Sequence, residues 1–333
     1  MMKFDAFFFV SFGGPEGPDE VMPFLNRVLA GKNVPEERKL EVAAHYQKFG
    51  GISPINEQNR TLIKNLKSAF EKNNIDLPMY WGNRNSDPLI QDTIEQMRKD
   101  KRSNVLCFFT SSFSSYSGCR QYRENIEDVK KNLGLEKMQF SKLRTWFNHP
   151  LFIQIIVEDV QKARSELVKK AAKAPFVLFT AHSIPQSMSK QCDYVVQLKE
   201  TSQLVTNQLH TDAYRLVFQS RSGPPQVPWL EPDICDALDQ VKEQGHDAVI
   251  VVPIGFVTDH MEVKYDLDVQ AKEKASLLDL SFVRVQAPGH NPRFIDLVVD
   301  LVLERVHGTA KKVVGTMKPG HDQCPIDCCR NTR

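Results

Sequence analysis

Long apolar runs are missing from this chain. No stretch reaches the roughly 18 consecutive apolar residues of a membrane-spanning helix, so hydropathy gives no spanning segment. The nearest approach, "FDAFFFVSF" at residues 4–12, is short and lacks a basic flank and a small-residue cleavage site. It reads as a first buried strand rather than a secretory signal. These absences point to the cytoplasm and leave room for loose contact with a membrane surface. Excess charge of one sign is missing too: 43 Lys and Arg against 41 Asp and Glu leave a formal net charge of +2. That is too weak a field to argue for nucleic acid as a partner. Neither G-x-G-x-x-G nor G-x-x-x-x-G-K-[ST] occurs, so the Gly-rich "SFGGPEGP" at 11–18 is a poor nucleotide cradle. No short repeat or low-complexity block is visible, and no nucleophile–base pair announces covalent catalysis.

Cysteine is sparse until late in the chain. Cys107, Cys119, Cys192 and Cys235 are scattered, whereas Cys324, Cys328 and Cys329 crowd into "CPIDCC" on a Gly/Pro/polar segment. In a reducing compartment this is a poor disulfide framework. Thiolates packed this densely suit a soft metal or an iron–sulfur cluster. Cys107 lies within a strand-like run and reads as a small core hydrophobe.

What is present fits a soluble globular protein: 333 residues with 41% hydrophobic and 25% charged, enough for two ordinary domains or one large one. Eight runs rich in β-branched and aromatic residues recur, bounded by Gly, Pro or Asn: "DAFFFVSFG", "PMYWGNR", "NVLCFFTSSF", "QFSKLRTW", "FVLFTAHS", "YRLVFQS", "AVIVVPIGF" and "SFVRVQAP". Between them lie segments of helical period. Leu89, Ile90, Ile94 and Met97 share one side of 88–101, and Ile153, Val157, Val160 and Leu167 share one side of 149–171. "LVKKAAKAP" at 167–175 reads as a surface helix end. Strand–helix alternation predicts an α/β fold of two Rossmann-like, doubly wound lobes, each with a four-stranded parallel sheet. A closed eight-stranded barrel is the alternative topology. The expected division is 1–140, 141–305 and a tail at 306–333.

In open α/β sheets, function collects beyond the carboxyl ends of strands. His182 stands at such an end, in "FVLFTAHSIP", where a near-neutral imidazole can accept a proton or bind metal; a merely satisfied strand-end histidine is equally compatible. "PIGFVTDHMEVKYDLD" at 253–268 carries Asp259, His260, Glu262, Asp266 and Asp268 straight out of an apolar run. A helix starting near Asp259 places Glu262 and Asp266 on one face and Asp268 offset from them. Helix-dipole complementarity explains acids in the first turn but not the later ones. A ladder of carboxylates could instead guide a divalent cation or carry protons away. "YSGCRQYREN" offers Tyr116, Arg120, Tyr122 and Arg123, a combination suited to a planar ligand bearing carboxylates. "QSRSGPPQVPWLEPD" at 219–233 is a stiff Pro/Trp loop that names no reaction.

Taken in order, "SFGGPEGPDEV", "GGISPINEQNR", "SGCRQYREN", "FTAHSIP", "QSRSGPPQVPWLEPD" and "PIGFVTDHMEVKYDLD" resemble ferrochelatase, from about residue 3 to 305. The style of the first loop and of the Pro/Trp loop resembles the bacterial branch acting on coproporphyrin III. The resemblance implies two chelatase-type lobes around a porphyrin cleft, with the last long helix crossing back to the first lobe. It makes His182 the metal-site histidine and Glu262 the acid facing it across the macrocycle. Asp266 and Asp268 become part of an acidic metal path on a helix with π-type turns, whose outer end carries Gln270 where some relatives have an acid. Ser53 and Tyr122 match porphyrin-holding positions. Phe12 stands where some relatives have an iron-ligating tyrosine, so ligation from that side is not expected. Lys32, Arg120 and Arg123 are the candidate partners of the substrate's propionates. The tail resembles those members with a [2Fe–2S] cluster held by three C-terminal cysteines and one internal one. Here Cys324, Cys328 and Cys329 match the trio. Ile155 occupies the region of the internal ligand in some members, so the fourth ligand falls to Cys192, Cys119 or Cys235, with Cys192 preferred.

The implied reaction inserts Fe²⁺ as substrate into a free-base porphyrin and releases two protons, as a lyase of haem biosynthesis. Binding must hold the ring bent to expose its nitrogen lone pairs. His182 and Glu262 would take up protons or present iron. Iron donors and product acceptors are the expected transient partners. The alternatives are protoporphyrin IX as substrate, cobalt insertion into a sirohydrochlorin-type ring, and a non-catalytic haem or iron–sulfur sensor on the same scaffold.

Overall fold

The computed structural model describes residues 3–32, 34–167 and 173–332. The surface helix end expected at 167–175 falls largely outside these residues. Each apolar run yields a strand: β1 (Ala6–Ser11), β2 (Met79–Asn83), β3 (Asn104–Phe109), β4 (Gln139–Lys142), β5 (Phe176–His182), β6 (Tyr214–Gln219), β7 (Ala248–Val252) and β8 (Ser281–Arg284). They build two four-stranded sheets, ordered β2-β1-β3-β4 and β6-β5-β7-β8, with every ladder parallel. Two open sheets thus replace the alternative of a closed barrel.

The central strands are apolar on both sides because both faces of each sheet are covered by helices. In β1, Phe7 and Phe9 enter one core while Ala6, Phe8 and Val10 enter another. In β5, Val177, Phe179 and Ala181 face the first of these cores, and Phe176 and Leu178 face a third. The largest core therefore takes side chains from both sheets. Helix Arg293–Val306 completes it, packing against helices Ile55–Lys72 and Pro150–Leu167. Its stripe of Phe294, Leu297, Val298, Leu301 and Val302 is fully covered, at the spacing an amphipathic helix requires.

The segment expected as a tail is pinned to the body. Arg144 and Glu304 form a buried bidentate ion pair at 2.7 and 2.9 Å, and Arg144 also donates to the Lys312 carbonyl at 2.9 Å. Asn148 donates to Met317 O and accepts from Val314 N, both at 2.9 Å. Among the described residues no helix is long and apolar enough to cross a membrane.

Both sheets reverse their strand order between a central pair, β1/β3 in one and β5/β7 in the other, and such switch points open a crevice at the carboxyl ends. Ser11, Asn83, His182 and Gln219 all lie at these ends, so the topology gathers the polar loops on one side.

Candidate active site

His182 ends β5, and the next chain segment is held on both sides. Ser183 Oγ donates to Leu230 O at 2.8 Å and Leu230 N donates to Ile184 O at 3.0 Å. This is the use of the Pro/Trp loop: it braces the chain just after the histidine. The Tyr194 hydroxyl donates to the His182 carbonyl at 3.1 Å from the helix Tyr194–Leu209. His182 Nδ1 contacts the Ser183 carbonyl. That contact places a proton on Nδ1 and leaves Nε2 for the cleft.

Glu262 arrives from the neighbouring strand. After β7 the chain crosses the end of β5, where a side chain on Gly255 would collide with Ala181, 2.7 Å from its Cβ. The helix Met261–Tyr265 then begins, two positions later than the acids suggested. His260 is its N-cap, with Nδ1 accepting from Glu262 N at 3.2 Å. Sequence reasoning gave His260 no role, although a polar residue before "MEV" is the signal of a cap.

His182 Nε2 and Glu262 Oε2 are 3.5 Å apart, with the side chains 33% and 49% exposed. This separation corrects the expectation that the two confront each other across a macrocycle. A ring between them needs a van der Waals gap of about 3.5 Å on each side. As they stand, imidazole and carboxylate leave no room for a ring between them. Burial opposes the charge of His182, but the Glu262 carboxylate, the Ser183 carbonyl and Asp266 outweigh it and raise its pKa. Burial likewise opposes the charge of Glu262, but His182, His260 and Lys32 bring it down to about 2. His260 is pushed down by burial, which favours the neutral ring. The contact thus favours an imidazolium beside the carboxylate.

The acidic ladder divides. Asp266 stays with Glu262: it contacts the Ser220 hydroxyl, lies 3.4 Å from Gln219 Nε2, and is raised to about 7 by burial, with the Glu262 charge adding to it. Asp268 does not follow. A π-helix spans Asp266–Ala271, and Asp268 bonds Arg284 at 2.5 and 2.8 Å and Lys264 at 2.6 Å. Two cations neutralise it, and it has no call on a third. Asp259 shares Arg284 at 3.1 Å, so it too serves an ion cluster. Arg284 carried no local signal; its partners lie on another element.

The proposed ring-binding residues also separate. Phe12 and Phe24 stack edge-on at 6.0 Å, with the Arg84 guanidinium 5.6 Å from the Phe12 ring. Ser53 is buried against the first loop, where its N–H donates to Pro15 O at 2.8 Å. That loop needs Gly13, whose φ of +79° is left-handed and whose added Cβ would meet Ser86 Oγ at 2.4 Å. Tyr122, expected at the ring, is in the core: it stacks on Phe109 at 5.2 Å beneath Arg84. Arg120, expected at a propionate, instead binds Glu124 and donates to the carbonyls of Ile326 and Cys328 at 3.1 and 3.0 Å. Lys32 stands close enough to Glu262 for its charge to be felt. Helix Glu36–Gln47 meets helix Met261–Tyr265 through a His45–Tyr265 stack at 3.6 Å.

The family model for ferrochelatase matches residues 5–306. The chain belongs to the ferrochelatase family. A ferrochelatase of Rhodopirellula baltica is 50% identical over 331 residues, covering 99% of this chain and 94% of that one. The coproporphyrin III ferrochelatase of Streptomyces coelicolor is 44% identical, covering 98% and 93%. That of Mycobacteroides abscessus is 45% identical, covering 92% and 90%. Among solved structures, SirB from Bacillus subtilis with Fe³⁺ superposes with a TM-score of 0.57 at 11% identity, covering 92% of this chain and 96% of that one. That likeness concerns the fold alone. As a ferrochelatase, the protein is an enzyme that inserts metal into a tetrapyrrole.

A second group of ligand-type side chains gathers cysteines from three parts of the sequence. Cys119, Cys192, Cys324, Cys328 and Cys329 line one cavity of about 370 Å³. The Cys328 and Cys329 sulfurs are 3.4 Å apart. Cys324 receives hydrogen bonds from Cys119 and Cys328, which hold it far below an ordinary thiol, helped by Lys142 and Arg123. Cys192 receives one from Cys329 and is lowered as well. Arg123, another expected propionate partner, thus faces sulfur. Cys235 is absent from this group and packs beside the second sheet's outer core; Cys107 is buried in β3. Thiolates with nearby cations fit a soft-metal centre.

Proposed function

We propose that this ferrochelatase inserts Fe²⁺ into coproporphyrin III in haem biosynthesis, with His182 and Glu262 as catalytic residues on one face of the ring. The observation that carries the assignment of roles is the 3.5 Å contact of His182 Nε2 with Glu262 Oε2 at the switch point of the second sheet. Several curated relatives of 40–45% identity over most of their length are named coproporphyrin III ferrochelatase, and this favours the four-propionate substrate. Phe12 offers no ligand atom from the opposite side. The location is proposed to be the cytoplasm.

Insertion replaces two pyrrole protons by Fe²⁺. Glu262, held down to about 2, stays a carboxylate and polarises the pyrrole N–H rather than keeping its proton. His182 first gives its own Nε2 proton to Asp266 and then relays the two pyrrole protons in turn along the same route to solvent. Asp266, poised near neutrality and one helical turn from Glu262, receives and releases protons without leaving a permanent charge beside the ring. The braced chain after β5 and the His260 cap fix both groups before substrate arrives, so little reorganisation remains for the reacting complex.

The tail sulfurs are proposed to hold a [2Fe–2S] cluster, with Cys192, Cys324, Cys328 and Cys329 as ligands. When bound, such a cluster supplies a redox-active, covalently linked tie between chain segments. A single zinc is the second reading, favoured because the ligand atoms of His321, Cys324 and Cys328 lie within 4.8 Å of one another. Anaerobic mixing of protein, Fe²⁺ and either coproporphyrin III or protoporphyrin IX, followed at the Soret band, tests the activity. Metallation of coproporphyrin is expected. Fast metallation of protoporphyrin alone would reject the substrate, and stoichiometric binding without turnover would favour the sensor.

A further inference from the structure

We infer that Cys119 is a ligand of the metal centre formed by the tail cysteines, so that the centre joins the first half of the chain to the second. The inference rests on the reading that the tail sulfurs hold a metal, and in a two-iron cluster it puts Cys119 in the place given above to Cys328.

The five sulfurs form a line of contacts: Cys119 to Cys324, Cys324 to Cys328, Cys328 to Cys329, and Cys329 to Cys192. The two internal cysteines occupy opposite ends. A two-iron cluster takes two protein sulfurs at each iron. At one end the natural couple is Cys192 with Cys329. At the other, Cys324 has two neighbours, Cys119 and Cys328, and Cys119 is the one held by rigid structure.

Cys119 sits in a π-helix, Tyr116–Arg120, whose N-cap Ser115 accepts from Gly118 N at 2.9 Å. Gly118 allows this turn to press on Ser111, where an added Cβ would meet Oγ at 2.4 Å. Single π turns are rare and concentrate at functional sites. The turn puts a thiol at the cavity wall although it belongs to the first half of the chain. The next residue, Arg120, grips the Ile326 and Cys328 carbonyls. The turn therefore presents a sulfur and holds the loop that brings the others.

Cys329 supplies a second observation. Its φ of +55° is left-handed, a conformation that costs a non-glycine residue free energy and persists where surroundings demand it. The two adjacent thiols contact different partners, Cys328 meeting Cys324 and Cys329 meeting Cys192. The adjacent thiols thus face different ends of the line, and Cys329 is the one that meets Cys192.

The test uses full-length native protein, C119S, C119A, C192S and C235S, purified without air. Iron, zinc and acid-labile sulfide are measured per chain, with visible circular dichroism and electron paramagnetic resonance after dithionite reduction. Native protein and C235S are expected to carry about two irons and two sulfides, while C119S and C119A lose most of both or show shifted spectra. The alanine variant covers the outcome in which a buried serine hydroxyl harms folding. Metal, sulfide and spectra unchanged in both Cys119 variants, with C192S depleted, would overturn the inference and keep the cluster. Zinc without sulfide would overturn the cluster but support Cys119 if its variants lose the zinc. Native protein without either metal would overturn both.

Discussion

Cutting His182 back to alanine leaves Glu262 a carboxylate beside an empty corner and removes one of the two groups proposed to handle metal and protons. H182A is expected to lower the insertion rate by roughly 10²–10⁴ while porphyrin binding, read by fluorescence quenching, persists. E262Q should fall similarly. The double variant should lose little more, because residues acting as a unit are not additive; losses that multiply would show that the two work separately. His149 gives a stability prediction at the same scale. Burial, with Arg144 and Lys312 nearby, depresses its pKa to about 3, against about 6.5 in an unfolded chain. Between those values the unfolded chain binds the extra proton. Stability is thus full above about pH 6.5 and declines on acidification toward about pH 3, by up to about 1.4 kcal/mol per pH unit. His149 Nδ1 also accepts from Leu151 N at 3.3 Å. H149N keeps an acceptor there and should flatten the decline, as urea midpoints inside and above that window would reveal. His182 and Glu262 were legible because a strand end and an acid-rich exit announce themselves locally. The imidazolium–carboxylate contact was not, since it depends on the packing of β5 against β7.

Elements were easier to read than their ends. Runs such as "AVIVV" are apolar on consecutive residues because both sheet faces are buried, and no helix of that length would be. The helix after β7 was placed early, since acids mimic a helix start while His260 does the capping. The π turn at Asp266–Ala271 was implied by the family resemblance and Asp268 was already offset from Glu262 and Asp266, but its capture by Arg284 on another strand left no local trace. Arg284 on β8 makes a prediction here. It is mostly buried and neutralises Asp259 and Asp268. R284M should cost about 3 kcal/mol, because removing one partner of a buried ion pair strands the other. R284M/D259N/D268N should recover part of that loss in the same chemical denaturation. A fully stable single variant would mean the cluster is solvated. The His45–Tyr265 stack ties the covering helix to the catalytic one, so Y265A should raise the rate of porphyrin association measured by stopped-flow quenching.

At the scale of the whole molecule, the sequence suggested two lobes with a boundary at 140, and the strand pattern justified that count. Long-range packing is less visible from composition. The first sheet continues to Lys142, and one core takes Phe7, Phe9 and Phe108 together with Val177, Phe179 and Ile250. A fragment ending at residue 142 lacks the second half of that core and helix Arg293–Val306. It should give weak near-ultraviolet circular dichroism and bind a hydrophobic dye, as chains without fixed tertiary packing do. A cooperative unfolding transition in that fragment would show that the first lobe is autonomous. The docked tail was equally hidden, because Arg144 and Glu304 are far apart in sequence and carry no shared motif.

The sulfur-lined cavity draws on positions 119, 192 and 324–329. A growing polypeptide offers these groups one at a time, and the set is not assembled until residue 329 has been joined. If the proposed centre forms, its loading is therefore a late event in the making of the enzyme. Molecules shortened before that point would keep His182 and Glu262 but lack the complete set of sulfurs proposed to fasten the tail.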